Sequence, residues 1–102
     1  MRKRIKIDDQ EAADAAAAWV AKHLRPARRI NKTRGCYSLK HGCERATGHY
    51  IDLPTFVGLL RDAGYTVTDD ELAPNANVLE SSARAALRAA GILTFGGYVR
   101  HG

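Results

Sequence analysis

No stretch of this 102-residue chain is apolar over the roughly 18 residues that a membrane-spanning helix needs. Its basic start, Met1 to Ile7, leads into an Asp- and Ala-rich segment rather than the hydrophobic region of a signal peptide. A cytoplasmic protein is therefore expected. Cysteine is scarce: two residues, Cys36 and Cys43, read as reduced thiols and not as a disulfide framework. The paired C-x₂₋₄-C knuckle of structural zinc sites is missing, so Cys36, His41, Cys43 and His49 are not read as metal ligands. Nothing around Gly96-Gly97 resembles a phosphate-binding loop. The dyads Cys36–His41 and Cys43–His41 have no third orienting group and no oxyanion feature beside them, and Asp69-Asp70-Glu71 alternate in direction along a loop. No enzymatic activity, metal or cofactor is expected.

Acid is the other shortage, and it is local. Between Lys22 and Arg45 there are eight Lys or Arg residues and a single acid, Glu44. Residues 1–45 carry twelve cations and five acids, a net of +7, whereas residues 46–102 carry four and six, a net of −2. Like charge packed into one segment repels itself, so an anionic partner is the first function class to consider.

Length and composition fit one domain, residues 1–102, with a modest core, since 45% of the residues are hydrophobic but many are Ala. The alternation Arg4-Ile5-Lys6-Ile7 suits a short edge strand or a disordered basic arm, the strand being preferred. Asp8 and Asp9 supply a cap for a first helix over 10–24, with Ala13, Ala16, Ala17, Val20 and Leu24 on its inner stripe and Trp19 beside it. Pro26 discourages its continuation.

A basic connector, Arg25 to Gly35, precedes a second helix over 38–47, with Ser38 as a cap, Gly48 as a left-handed stop, and Leu39, Cys43 and Ala46 facing inward. The third helix, 52–63, has Asp52 as its cap, Pro54 in its first turn, and Leu53, Phe56, Val57, Leu60 and Ala63 facing inward. Gly64 ends it, and Tyr65 folds back on Leu60. Thr66-Val67-Thr68 suits a short strand. A fourth helix over 78–90 is capped by Asn77 with Glu80 as its reciprocal partner, and Gly91 closes it. Leu79, Ala83, Ala86, Leu87 and Ala90 face inward, and Glu80, Arg84 and Arg88 form an exposed ladder. Two β-rich runs about Gly96-Gly97 read as a hairpin over 92–100. The expected class is α+β, mostly α, with a small sheet built from the N-terminal strand and this hairpin. The hairpin's apolar content would also suit a dimer edge, and the sequence leaves the oligomeric state open.

Helices two and three lie a few residues apart, which invites a helix-turn-helix reading. The outward residues of the third helix argue against it: Asp52, Thr55, Gly58, Arg61 and Asp62 offer one cation and two carboxylates, a poor set for reading bases beside phosphates. The connector is the better nucleic-acid candidate. Arg25, Arg28, Arg29, Lys32 and Arg34, extended by Lys22, Lys40 and Arg45, are suited to neutralising phosphates, with Tyr37 and His41 near enough to stack or hydrogen-bond. A solvated loop, or an acidic protein surface as the partner, fits the same charges. Tyr37, His41, Glu44 and Arg45 also fit a structural network tying the loop to the second helix.

At Tyr37-Ser38-Leu39-Lys40-His41, Glu44, Tyr50-Ile51, Phe56-Val57, Ala63-Gly64-Tyr65 and Pro74-Asn75-Ala76-Asn77 the chain resembles short uncharacterised proteins encoded by bacteriophages, plasmids and integrated elements. The likeness runs over about forty residues, Thr33 to Asn77. Those proteins commonly read Ser-Tyr-Gly-Leu-Lys-His, whereas the order around Tyr37 and Ser38 differs here, and Asp52-Leu53-Pro54 stands where they often have an Asn-Gly turn. The resemblance implies a mobile-element origin in a bacterial host and carries no activity. It suggests two functions: nucleic-acid binding, or direct inhibition of a host defence complex (of anti-CRISPR type) or a host regulator. A basic chain argues against mimicry of DNA.

Overall fold

Among the described residues Trp19, Phe56, Leu24, Leu39, Leu60 and Leu87 are buried, and the computed structural model packs them between four helices. It describes residues 6–92, with side chains from residue 10 onward. The helices are α1 (Lys6–His23), α2 (Cys36–Thr47), α3 (Leu53–Asp62) and α4 (Glu80–Ala89). α1 packs against the other three, and α2 also packs against α3 and α4. The core is formed by Ala16, Trp19 and Val20 of α1 and Leu24 just after it, Leu39 and Cys43 of α2, Phe56 and Leu60 of α3, and Ala83 and Ala86 of α4. Ile51, Tyr65, Val67, Ala76 and Val78 reach it from the connections.

The α+β expectation is corrected: among the described residues there are four helices and no strand, so the described fold is all-α. Lys6 and Ile7 open α1 instead of ending an edge strand. The remainder of the expected N-terminal strand and the hairpin after Ile92 lie outside the described residues. Thr66-Val67-Thr68 does run beside the 75–78 segment, but the two meet in one isolated bridge, Val67 with Ala76, and Pro26 meets Val78 in another. A ladder cannot grow from Pro26, which has no N–H to donate. Beside the backbone bonds of Thr68 N–H to Asn75 and Asn77 N–H to Thr66, the Thr66 N–H goes to the Asn77 side chain instead of to backbone.

Helix ends show where local signals held. Asp52 caps α3 by accepting from the Thr55 N–H at 2.8 Å, and Pro54 sits in the first turn. Gly64, at φ +99°, ends α3, with the Tyr65 N–H bonding the Leu60 carbonyl at 2.9 Å. Gly48 and Gly91 also take positive φ and close α2 and α4.

Two expected caps are corrected. α2 starts at Cys36, not Ser38; its N-cap, Gly35, offers no side-chain bond. The Cys36 N–H bonds the Pro74 carbonyl at 2.9 Å instead, so a distant loop satisfies the first turn. α4 starts at Glu80 after Leu79, not after Asn77. The Leu79 N–H bonds the Arg25 carbonyl at 2.7 Å, and both Asn77 and Glu80 are engaged elsewhere.

Helix faces shift with these starts. α1 buries Ala12, Ala16, Trp19 and Val20, with Leu24 following it, and leaves Ala17 exposed, because the Trp19 ring removes far more surface from water than an Ala methyl. Ala46, Ala63 and Leu79, expected inward, are exposed. In α2 the buried stripe is Cys36, Leu39, Lys40, Gly42 and Cys43.

Gly42 is where helices α1, α2 and α4 meet. A Cβ added there would sit 2.5 Å from Leu87 Cδ2 and 3.6 Å from the Trp19 ring, and both neighbours are buried. Gly42→Ala is expected to lower stability by a net of about 1 kcal/mol, because overpacking outweighs the helix-propensity gain. The urea midpoint measures it, and an unchanged or raised midpoint counts against the close packing described.

Candidate nucleic-acid interface

The connector 25–34 is basic, irregular and fixed in place. Three asparagines hold it. The Asn31 side chain is buried, donates to the Val78 carbonyl and to Glu80 Oε1 at 3.0 Å each, and accepts from the N–H groups of Thr33 and Arg34 at 2.8 and 2.9 Å. Those four bonds fill its donor and acceptor capacity. Asn75 Nδ2 donates to the carbonyls of Asn31 and Arg34, and Asn77 Nδ2 to that of Ala27. Backbone bonds Ala27 N–H to Asn77 and Asn31 N–H to Ala76 complete the clasp. The segment 74–79 is thus the template on which the basic loop is laid.

The ten sequence-predicted site residues divide in two. Lys22, Arg28, Arg29 and Lys32 are exposed and have no carboxylate within 4.0 Å among the described residues. Arg28 and Arg29 line a shallow depression floored by Pro26, Ala27 and Leu79. Arg45 is also exposed, its guanidinium beside Gly91 at the end of α4.

The others are engaged internally. Arg25 turns back to cap α1, donating to the carbonyls of Ala21 and Leu24 at 3.2 and 2.9 Å. Arg34 grips Glu80 Oε2 through Nε and Nη2 at 3.1 and 3.0 Å, and Arg84 shares that carboxylate at 3.6 Å. Lys40 is only 5% exposed, with its ammonium 3.0 Å from Glu44 Oε2. His41 Nδ1 lies 3.3 Å from Glu44 Oε1. Tyr37 is exposed and meets His41 edge-on at 4.4 Å between ring centres.

Tyr50 belongs to this cluster and was absent from the sequence-predicted set. Its ring lies 5.5 Å from the Lys40 ammonium, matching Tyr37 at 5.2 Å on the same cation. The left-handed turn at Gly48 brings it back over α2, and that glycine was the available signal. The burial of Lys40 also had a signal: Cys36, Leu39, Lys40 and Cys43 follow the i, i+3, i+4, i+7 spacing of a buried stripe.

Glu44 ties this cluster together. Burial pushes its carboxyl pKa up, but the Ile51 N–H at 3.1 Å, the Lys40 ammonium and His41 outweigh burial and hold it below the ordinary carboxylate value. The two thiols lie in the core. Burial pushes both up to about 11, against a lowering by Arg61 at Cys36 and by Thr47 and Lys40 at Cys43, so they stay protonated near neutral pH. Among the described residues no group of three or more His, Cys, Asp or Glu side chains is placed to hold a metal, and no helix is long and apolar enough to cross a membrane.

A second concavity, of about 650 Å³, lies between α3 and the 68–74 loop, lined by Leu53, Pro54, Val57 and Pro74 and edged by Asp69, Asp70 and Glu71. Arg61, on its wall, bonds the Val67 and Thr68 carbonyls and Asp69, which removes the only cation from the outer face of α3. The groove is acidic at its rim and lies apart from the basic loop in sequence. No protein-family model, curated protein or solved structure matches the chain at a significant level.

Two outcomes test the clasp and the Glu44 cluster. Asn31→Ala is expected to cost about 2 kcal/mol or more by leaving buried groups unpaired, read from the urea midpoint. The stability difference between the parent and Glu44→Gln should be largest near neutral pH. A depressed folded-state pKa stabilises above the unfolded value, about 4.3, and that stabilisation disappears as pH falls through the folded value. Denaturation at pH 7, 5 and 3 reads this, and a difference that grows as the pH falls contradicts the sign.

Proposed function

We propose that this chain binds nucleic acid through the connector 25–34. The supporting observation is the contrast within the basic segment. Arg25, Arg34 and Lys40 are spent on capping, on Glu80 and on Glu44, whereas Lys22, Arg28, Arg29 and Lys32 face solvent with no counter-charge among the described residues. The connector that carries Arg28, Arg29 and Lys32 is fixed by side-chain bonds from Asn31, Asn75 and Asn77, so little conformational entropy is lost when they meet phosphates. The phosphate-contacting set is Lys22, Arg28, Arg29 and Lys32, with Arg25, Arg34 and Lys40 assigned to support.

Counterion release makes this reading quantitative. Each phosphate contact contributes about 0.9 to the slope of log affinity against log salt for duplex DNA. Titration of a 20-mer duplex at a series of salt concentrations is expected to show binding at low salt that weakens steeply. Arg28→Ala with Arg29→Ala should lower the slope by about 1.8, whereas Arg25→Ala should leave it nearly unchanged. Absence of binding at low salt, or an unchanged slope in the double variant, removes the reading and leaves direct inhibition of a host protein as the alternative.

A further inference from the structure

We infer that Tyr37 and Tyr50 form a stacking platform for unpaired bases, so that the preferred ligand is single-stranded nucleic acid; this rests on the reading proposed above. Tyr37 is 55% exposed and Tyr50 76%, yet the two rings are not scattered surface residues. One cation lies against both of them, the Lys40 ammonium, at 5.2 and 5.5 Å from their centres. His41 buttresses Tyr37 edge-on at 4.4 Å. Glu44 fixes the arrangement, bonding Lys40 and the backbone N–H of Ile51, the residue after Tyr50, with His41 Nδ1 3.3 Å from its other oxygen.

Three physical consequences follow. The rings are held before any ligand arrives, and a tyrosine has few rotamers to lose, so stacking costs little order. A lysine beside the rings attracts their π-electrons, which favours stacking of electron-rich bases on the surface left open. Lys40 is neutralised by Glu44, so the platform adds affinity without adding to the salt dependence. Tyr37 follows Arg34 by three residues, so the platform comes directly after the basic connector along the chain. Base-on-aromatic stacking tolerates any sequence but requires bases that are free of their complement.

The test compares a 12-mer of deoxyadenosine with a 12-mer of abasic tetrahydrofuran units, which presents the same phosphates and no bases. The parent is expected to bind the base-bearing strand at least tenfold more tightly, with equal salt slopes for the two. Tyr37→Ala with Tyr50→Ala should erase that preference and leave the slope intact, while Tyr37→Phe with Tyr50→Phe retains it. Unchanged emission from the buried Trp19 certifies that each variant is folded. Equal affinity for the two strands, or a preference that survives the alanine pair, overturns the platform and leaves the phosphate-binding reading standing. No binding to either strand overturns both.

Discussion

Two irregular segments far apart in sequence share one set of hydrogen bonds, and the described fold depends on it. The connector 25–36 and the run 74–79 are joined by the side chains of Asn31, Asn75 and Asn77 and by backbone bonds at Ala27, Asn31, Cys36 and Leu79. Two helix starts are included: α2 has its first N–H satisfied by Pro74, and the Leu79 N–H just before α4 is satisfied by Arg25. Without that clasp the helix ends would expose unpaired amides and the basic loop would have no fixed course.

The clasp also explains how a segment so rich in cations is tolerated. Its charge is sorted. Glu80 takes Arg34 and Arg84 and is itself held by Asn31, and Glu44 takes Lys40 and His41. Two carboxylates, one from α4 and one from α2, thus fix the cations nearest the core. The remainder lie outward on the connector and on the last turns of α1 and α2. A buried lysine with a single carboxylate partner is costly unless its surroundings are favourable, and here two tyrosine rings supply the other contacts to the ammonium.

Much of the helical architecture was legible because its signals are local. Asp52 with Pro54, and glycines 48, 64 and 91, mark ends through backbone conformation and side-chain reach of a few residues, and the structure keeps all of them. The caps that were misplaced, Ser38 and Asn77, have suitable side chains, but the Cys36 N–H is taken by the distant Pro74 carbonyl, and the Asn77 side chain is engaged by the Thr66 N–H and the Ala27 carbonyl. The short strand expected at Thr66-Val67-Thr68 failed for a related reason: Val67 has β-type composition, but it meets Ala76 in one isolated bridge and the pairing goes no further. At the candidate site, the loop cations were legible as charge, whereas the withdrawal of Arg25, Arg34 and Lys40 depends on which carbonyls and carboxylates lie opposite them.

By itself the sequence determined the four helices, the one-sided charge and most of the apolar stripes, since these follow from spacing along the chain and from side-chain chemistry. Only the tertiary structure decided which cations remain free, that Lys40 is buried, and that Tyr50 joins Tyr37 over it. Those outcomes turn on contacts between residues that a linear pattern does not pair. A charge or an aromatic ring has the same identity wherever it falls, but its availability is set by what folds against it.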